Sequence, residues 1–262
     1  MSTLLIDIGN TRVKWALFDG RRLGRQHAAA HAGWTSKQFE RHVFSRARGV
    51  ERVLIVSVAG ARVARMVTAA ARSRLGVAPE FFASARHVAG VTTLYSEPWR
   101  LGADRLVAAI GAHRIAGGRA VCVIGIGTAL TVDLVDARGR HRGGAIVPAP
   151  ELMKGSLLTK TNGIARRARG VTAKGGFFAR NTRAAIEQGA RYAAAAVVDR
   201  AVDEARQLLG RVPLVLLTGG GVPAIRQLVR SRHRLVPDLV LQGLAVIAQS
   251  VGQPISKTRR RS

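Results

Sequence analysis

The sequence predicts an α/β protein built from two similar units, each a mixed β-sheet flanked by helices. Short apolar runs alternate with amphipathic helical segments along the 262 residues, which is typical of this class. Residues 3–18 and 120–134 share one arrangement, in which a buried strand runs through a Gly-containing turn into an alternating strand. Hydrophobic residues make up 47% of the chain, which is enough for a large core and excludes a disordered protein.

The first hairpin combines a single carboxylate with a polar turn. Its first strand covers residues 3–8 and ends in Asp7-Ile8, its turn is Gly9-Asn10-Thr11, and its second strand covers residues 12–18. Gly and Asn tolerate positive φ, so we expect the backbone to reverse there and to present its N–H groups. Those groups, the Thr11 hydroxyl and the Lys14 ammonium are typical of phosphate binding, and Asp7 of holding a bridging cation. An ordinary hairpin, in which Asp7 caps its own turn, is the alternative that this stretch alone leaves open.

The remainder of the first half extends this sheet and covers it with helices. A turn at residues 21–25 leads into a third strand. Later strands are expected near residues 53–58 and 80–82, and helices near residues 34–47, 61–75 and 106–113. The last helix follows a loop over residues 91–105, which places Asp104 and Arg105 in or beside its first turn. We therefore expect a first domain over residues 1–115.

The second half opens with the hairpin at residues 120–134, whose turn contains Gly127-Thr128. Its later strands are expected at residues 141–148 and 212–217, and its helices at residues 149–158, 182–209 and 239–247. Two Gly-Thr turns of this kind, if they face each other, would hold the phosphates of one nucleotide from both sides. We expect a second domain over residues 116–252 and a basic, disordered tail over residues 253–262.

The chain is strongly basic, with 42 Lys and Arg residues against 15 Asp and Glu residues and a formal net charge of +27. Such a surface attracts polyanions, so non-specific affinity for nucleic acid is expected. The basic residues are spread along the chain, aromatic residues make up only 5%, and no nucleic-acid-binding motif is present. The composition therefore disfavours a dedicated nucleic-acid function.

Features of the apolar segments and of the cysteine indicate the cytoplasm. The longest apolar runs, such as residues 214–217, are far too short to span a membrane, and no basic segment followed by an apolar one opens the chain. Cys122 is the only cysteine, so no internal disulfide can form, which suggests a reducing compartment. Because it lies in an apolar strand, Cys122 is expected to be a buried structural thiol rather than a nucleophile.

Several short motifs follow one another in order along the chain. They are Asp7-Ile8-Gly9-Asn10-Thr11 with Lys14, Tyr95-Ser96-Glu97-Pro98, Leu101-Gly102-Ala103-Asp104-Arg105, Gly127-Thr128-Ala129-Leu130-Thr131-Val132-Asp133, Gly143-Gly144-Ala145-Ile146-Val147-Pro148, Asn181-Thr182 and Leu217-Thr218-Gly219-Gly220. Any one of them alone is weak, but the ordered set covers most of the chain. Through this set the sequence resembles the type III pantothenate kinases, a family of the acetate and sugar kinase/Hsp70/actin superfamily.

The resemblance implies two RNase H-like (actin-like) domains and transfer of the ATP γ-phosphoryl group to the primary hydroxyl of pantothenate, the first step of coenzyme A biosynthesis. Such a transfer needs neutralised phosphate charge and a carboxylate at the attacking hydroxyl. By resemblance, Asp104 is the catalytic base and Asp7 binds Mg²⁺ through water. The residues that match the family's phosphate-binding positions are Asp7, Ile8, Gly9, Asn10, Thr11, Lys14, Gly127, Thr128 and Ala129. Those that match its pantothenate-binding positions are Tyr95, Gly102, Ala103, Arg105 and Thr182, with Thr182 supplied by the second subunit of a homodimer.

The site residues also have structural interpretations. Asp104 could be a carboxylate at a helix N-terminus, stabilised by the helix dipole or paired with Arg105. Arg105 could form a salt bridge, which contributes little energy if it is exposed. Tyr95 could be an aromatic residue of a surface loop.

The sequence departs from the family pattern at several positions. The Asp that usually begins the second phosphate motif is Gly125, and the family links that carboxylate to binding of a monovalent cation. K⁺ or NH₄⁺ is therefore implied by the resemblance, but Gly125 has no side chain to hold it, which leaves the cation dependence open. The further departures are Ala149 for Gly, Gly221 for Asp, Gln242 for Glu and the altered segment 158–165.

These departures keep two alternatives open. One is a catalytically weakened homologue that acts as a regulatory or transcriptional accessory protein near DNA, which the positive charge would suit. The other is a kinase of the same fold that acts on a different small molecule. Asp7, Lys14 and Asp104 are all present and favour the pantothenate kinase, because a degraded enzyme is free to lose any of them.

Overall fold

The structure, a computed structural model, describes residues 2–45, 47, 49–168 and 176–250. Its strands are β1 (Thr3–Ile8), β2 (Arg12–Phe18), β3 (His27–Ala30), β4 (Arg52–Ser57), β5 (Glu80–Phe81), β6 (His87–Val88), β7 (Val91–Thr93), β8 (Val121–Ile126), β9 (Ala129–Val135), β10 (Arg140–Pro148), β11 (Leu214–Thr218) and β12 (Arg234–Leu235). Its helices are α1 (Ser36–Phe39), α2 (Gly60–Leu75), α3 (Ala103–Ala116), α4 (Pro150–Lys160), α5 (Asn162–Arg167), α6 (Thr182–Leu209), α7 (Val222–Ile225) and α8 (Leu239–Ser250). None of the helices in this described part is long and apolar enough to cross a membrane. The predicted basic tail, 253–262, lies outside the described residues.

The first compact unit comprises the described residues up to Arg114 together with α8. Its sheet has the order β3-β2-β1-β4-β5, with β1 antiparallel to β2 and parallel to β4. All six residues of β1 are buried, because both faces of the sheet are covered. On one face Ile6 packs in a cluster with Phe39 and α2, and on the other Leu5 packs in a cluster with α3 and α8.

The second compact unit runs from Ile115 to Asp238 and repeats this arrangement. Within it the strand order is β12-β11-β8-β9-β10, and β8 is antiparallel to β9 and parallel to β11. The outer strands follow the same rule, since β10 is antiparallel to β9 and β12 is parallel to β11. Helix α6 covers this sheet, where Val198 packs in a buried cluster with Ile124. The predicted α/β class, with two mixed sheets flanked by helices, is confirmed.

Some elements differ from the sequence prediction. The helix expected at residues 34–47 is the short α1 followed by a π-helical turn, Glu40–Phe44. The loop expected at residues 91–105 contains β7 and a 3₁₀ turn, Pro98–Arg100. The short elements β6, β12, α5 and α7 were not predicted, because so few residues carry no periodic signal.

Helix α8 belongs to the first unit, whereas the predicted second domain included it. It approaches α3 closely at two glycines. A Cβ on Gly243 would lie 1.9 Å from the carbonyl oxygen of Val107, and one on Gly111 would lie 2.7 Å from that of Leu239. No real Cβ contact is so short, so the crossing requires glycine on both helices. This crossing fixes α3, whose first turn carries Asp104, within the first unit.

Candidate active site

The end of β1 carries a buried carboxylate opposite a lysine. Asp7 and Lys14 are direct partners in the antiparallel β1–β2 register, so their side chains project from the same face of the sheet. Asp7 Oδ2 lies 3.8 Å from Lys14 Nζ, and Asp7 is only 8% exposed. Burial raises the pKa of Asp7 to about 6; Lys14 opposes this rise and Asp104 adds to it. This carboxylate is therefore one that a bound cation would stabilise in its ionised form.

The turn after Asp7 exposes polar groups without using left-handed backbone. Gly9 N–H donates a 3.0 Å hydrogen bond to the Arg12 carbonyl, which closes the turn. Neither Gly9 nor Asn10 has a positive φ, so the prediction that the reversal uses positive φ is wrong. A Cβ at Gly9 would lie 3.4 Å from the Arg12 oxygen, an ordinary van der Waals contact, so this closure does not itself require glycine. Asn10 and Thr11 are exposed, as residues that contact a phosphate from the backbone side must be.

Two residues that sequence analysis did not identify support this turn. The Nε2–H group of His31, a buried residue, donates a 2.7 Å hydrogen bond to the Gly9 carbonyl. Val58 N–H, beyond the end of β4, donates a 3.0 Å hydrogen bond to the Ile8 carbonyl. Both contacts join segments that lie far apart in the sequence, so no local motif reports them.

Asp104 lies in the first turn of α3, in the same unit as Asp7. Its Oδ1 atom accepts a 2.9 Å hydrogen bond from Arg105 N–H, one of the groups that the start of a helix leaves without an intrahelical partner. A Cβ at Gly102 would lie 2.9 Å from this oxygen, so glycine leaves room for the carboxylate. The charge of Asp104 is close enough to raise the pKa of Asp7. The structure thus brings Asp7, Lys14 and Asp104 together in one unit.

A second group of predicted residues meets beside the start of α3. Arg105 is buried, and its Nη1 donates a 3.3 Å hydrogen bond to the hydroxyl of Tyr95. The loop that carries Tyr95 is held by Arg86, whose guanidinium donates to the carbonyls of Thr93 (3.3 Å), Tyr95 (2.6 Å) and Ser96 (3.0 Å). Arg86 was not predicted from the sequence, because backbone carbonyls are present at every residue and no sequence motif marks a contact with them. Gly102 and Ala103 connect this loop to α3.

The carboxylates of Asp7 and Asp104 suit a hard divalent cation such as Mg²⁺. Mg²⁺ takes oxygen ligands, keeps several waters, and is usually held by one or two protein carboxylates together with substrate phosphates. The raised pKa of Asp7 fits this use, because a cation would offset the cost of its buried charge. The described residues contain no group of three or more His, Cys, Asp or Glu residues that could form a complete protein cage.

The β8–β9 hairpin ends in a turn with a similar closure. Gly127 N–H donates a 2.9 Å hydrogen bond to the Ala129 carbonyl, and both Gly127 and Thr128 are exposed. Ala149 N–H, at the start of α4, donates a 3.2 Å hydrogen bond to the Thr128 carbonyl. Ala149 is buried, so this departure from the family pattern is accommodated within the packed start of a helix.

Glycines pack closely behind this second turn. Gly221 N–H donates a 2.9 Å hydrogen bond to the Ile126 carbonyl. Gly219 has a φ of +101°, and a Cβ there would lie 2.3 Å from the same carbonyl oxygen. At position 125, a Cβ would lie 2.7 Å from the Oγ1 atom of Thr131, its cross-strand partner. The space that a side chain at Gly125 would need is therefore occupied by the threonine hydroxyl.

The remaining predicted residues of the second unit have defined positions. Thr182 is the first residue of α6 and is half-buried. Asn181 caps this helix, since its Oδ1 accepts a 2.9 Å hydrogen bond from Ala184 N–H. Cys122 is buried, and burial together with Asp133 raises the pKa of its thiol to about 12, so it is a structural thiol, as expected.

Two repeated mixed sheets, each with a hairpin that ends in a polar turn, define a protein of the actin-like fold. The crystal structure of MreB 5 of Spiroplasma citri bound to AMPPNP matches with a TM-score of 0.51 at 10% identity, covering 96% of this chain and 97% of that chain. The structure of a Baf family transcriptional activator from Campylobacter jejuni matches with a TM-score of 0.57 at 16% identity, covering 95% of this chain and 100% of that chain. At these identities the likeness shows the fold alone, so it does not support a regulatory role.

The sequence relatives identify the family. The family model of the type III pantothenate kinases matches residues 3–204. The type III pantothenate kinase of Nitrosococcus oceani is 35% identical over 264 residues, which cover 99% of this chain and 97% of that protein. The chain belongs to the type III pantothenate kinase family.

Proposed function

We propose that this protein transfers the γ-phosphoryl group of ATP to the primary hydroxyl of pantothenate and so forms 4′-phosphopantothenate. The observation that carries the proposal is the meeting of Asp7, Lys14 and Asp104 where β1 and the start of α3 come together. Membership of the family supports the identity of both substrates. It also favours a kinase over the regulatory alternative.

In this proposal Asp104 is the catalytic base. Its carboxylate accepts the proton of the pantothenate hydroxyl while that oxygen bonds to the γ-phosphorus. The bond between the γ-phosphorus and the β,γ-bridging oxygen breaks, and ADP leaves. Gly102 serves this step because its missing side chain leaves the carboxylate unobstructed.

In this proposal Asp7, through a bound cation, and Lys14 neutralise the negative charge of the phosphates. Asp7, with Asp104 nearby, would hold Mg²⁺ through water, and Lys14 would pair with phosphate oxygens. When bound, Mg²⁺ neutralises charge on the phosphate oxygens. The residues that we assign to the nucleotide phosphates through backbone or hydroxyl contacts are Ile8, Gly9, Asn10, Thr11, Gly127, Thr128 and Ala129.

Pantothenate binding is assigned to the residues around Tyr95. The guanidinium of Arg105 and the hydroxyl of Tyr95 already contact each other, so both donors are oriented before the substrate arrives. Arg86 fixes the loop that positions Tyr95. The backbone of Gly102 and Ala103 and the side chain of Thr182 complete the assignment, with Thr182 coming from the second subunit of a homodimer.

Three further properties belong to the proposal. The protein works in the cytoplasm, which the lone, buried Cys122 supports. It needs no K⁺ or NH₄⁺, because Gly125 provides no carboxylate and Thr131 Oγ1 fills the adjacent space.

The net charge of +27 gives the protein non-specific affinity for nucleic acid. This affinity should weaken with salt equally for two unrelated DNA sequences. A preference for one sequence would instead favour a regulatory role.

Substitution of Asp104 tests the kinase proposal. Purified protein with ATP, Mg²⁺ and pantothenate is expected to form phosphopantothenate, and Asp104→Asn should lower kcat by about 10³-fold or more, because the base is lost. Asp203→Asn, an exposed carboxylate of α6, is the matched control and should keep full activity. If wild type and Asp104→Asn are equally inactive in potassium, ammonium and sodium salts, the proposal fails.

A further inference from the structure

The first unit contains a cavity on the side of its sheet that faces away from Asp7. The cavity has a volume of about 320 Å³ and includes Trp15 and Leu17 of β2 in its lining. Side chains alternate between the two faces along a strand, so Trp15 and Leu17 project away from the face that carries Lys14. Lys14 is paired with Asp7, and the cavity is therefore separated from the candidate active site by the sheet itself.

Aromatic rings with fixed orientations form part of the cavity. The ring of Trp15 is stacked on that of His27, with centroids 5.6 Å apart and planes 21° apart. His42 also lines the cavity, and its ring is stacked on Trp34, with centroids 4.8 Å apart and planes 19° apart. Each ring is held by its neighbour, so the cavity presents flat surfaces suited to a planar group. Buried apolar residues, including Val43, also line it.

Two arginines give this aromatic cavity a positive charge. Arg25 and Arg41 both line it, and both are exposed to solvent. Within the part of the chain that the structure describes, no acidic residue lines the cavity and neither guanidinium forms an ion pair. Arginine binds phosphate and carboxylate groups through paired N–H donors, so two uncompensated guanidinium groups favour an anion.

We propose that this cavity binds a planar aromatic anion of the nucleoside monophosphate class. The base would stack on the Trp15–His27 pair, and the phosphate would bind to Arg25 and Arg41. A volume near 320 Å³ is at the lower end of the range for small-molecule sites, which suits a mononucleotide better than a dinucleotide. The site is distinct from the one proposed for ATP and pantothenate.

Fluorescence titration with 2-aminopurine riboside 5′-monophosphate tests this assignment. The full chain is first saturated with a non-hydrolysable ATP analogue and Mg²⁺, so that the proposed ATP site is occupied. The probe is expected to bind and to lose fluorescence as its base stacks on an indole ring. The corresponding nucleoside and inorganic phosphate should each bind at least about tenfold more weakly, because each offers only half of the interaction. Equal binding of nucleoside and monophosphate would overturn the proposal, as would no binding of the monophosphate.

Substitutions then locate the probe. Arg25→Gln and Arg41→Gln should each weaken binding about tenfold, while the exposed Arg62→Gln on α2 should leave it unchanged. An unaltered affinity in the Arg25→Gln/Arg41→Gln double variant, or a lost affinity in Arg62→Gln, would overturn the assignment. Kinase activity retained by the arginine variants would show that they fold and that the two sites are independent.

Discussion

The two hairpins that open the two units share a backbone plan and differ in chemistry. In the first, Ile8 and Val13 form the last strand pair and Gly9 N–H closes the turn; in the second, Ile126 and Leu130 form the pair and Gly127 N–H closes it. The residue before the final isoleucine is Asp7 in the first hairpin and Gly125 in the second. Their cross-strand partners are Lys14 and Thr131.

This difference shows that a repeated fold does not require a repeated function. The first hairpin concentrates charge, with a buried carboxylate whose pKa is about 6 next to an ammonium group. The second is uncharged at the same position, and a threonine hydroxyl occupies the space that a side chain would need. We therefore expect cation binding to depend on Asp7 and not on its counterpart in the second unit.

The largest expected effect is on kcat, which should depend on Asp7 in the first hairpin and not on Thr131 in the second. Asp7→Asn should lower kcat by about 10²–10³-fold, because the carboxylate that holds the cation is lost. Thr131→Ala, the corresponding change beside the second turn, should alter kcat by less than about threefold, a change of well under 1 kcal/mol. Steady-state kinetics with varied Mg²⁺ measure both. Similar losses in the two variants would mean that the hairpins share the cation.

The same residue should govern the pH dependence of stability in the first unit. Burial raises the pKa of folded Asp7 from 3.8 to about 6, so the folded protein binds this proton more tightly than the unfolded chain does. The folded protein therefore loses stability as the pH rises from 3.8 to about 6. Above pH 6, Asp7→Asn should be more stable than wild type by on the order of 2 kcal/mol, because it has no buried carboxylate to ionise.

Urea unfolding at pH 5 and pH 7 measures this effect. Tryptophan fluorescence reports on the first unit, because Trp15, Trp34 and Trp99 all lie there. The stability difference between Asp7→Asn and wild type should be larger at pH 7, whereas Thr131→Ala should show no such change. A difference that is the same at both pH values would contradict the raised pKa.

A smaller effect is expected from giving the second hairpin the carboxylate of the first. Gly125→Asp places a Cβ where the distance to Thr131 Oγ1 is 2.7 Å, so it should lower the free energy of unfolding by about 1–2 kcal/mol. The double variant Gly125→Asp/Thr131→Ala removes the contact and should recover most of this loss. Calorimetry measures the melting temperatures of wild type, Gly125→Asp and Gly125→Asp/Thr131→Ala. If Gly125→Asp is as stable as wild type, the Thr131 side chain must rotate away from the new Cβ.

The smallest effect concerns the monovalent cation. The wild-type rate should differ by less than about twofold between potassium and sodium salts at equal ionic strength, because Gly125 offers no carboxylate. If position 125 is where such an ion is held, the rate of the Gly125→Asp/Thr131→Ala variant should rise with potassium. Strong potassium activation of the wild type would place the ion elsewhere.

The parts of the site that the sequence predicted are local in the chain. Asp7 and Lys14 are seven residues apart and meet across one hairpin, so alternation and turn length predict their pairing. The residues that hold these site segments in place, His31 and Arg86, were not predicted, because their partners lie far away in the sequence. His31 bonds to Gly9, 22 residues away, and Arg86 bonds to carbonyls up to ten residues away. Gly9 was assigned to the correct turn for the wrong reason, since its φ is not positive.

The close crossing of α3 and α8 has a consequence for the order in which the chain folds. The second unit is continuous in sequence, whereas the first is completed only by α8, after the whole second unit has been synthesised. During translation the second unit can fold on the ribosome, while α3 waits for Gly243 to pack against Val107. The helix that carries Asp104 is thus fixed only after α8 has been synthesised, so a nascent chain positions its base later than it folds the second unit.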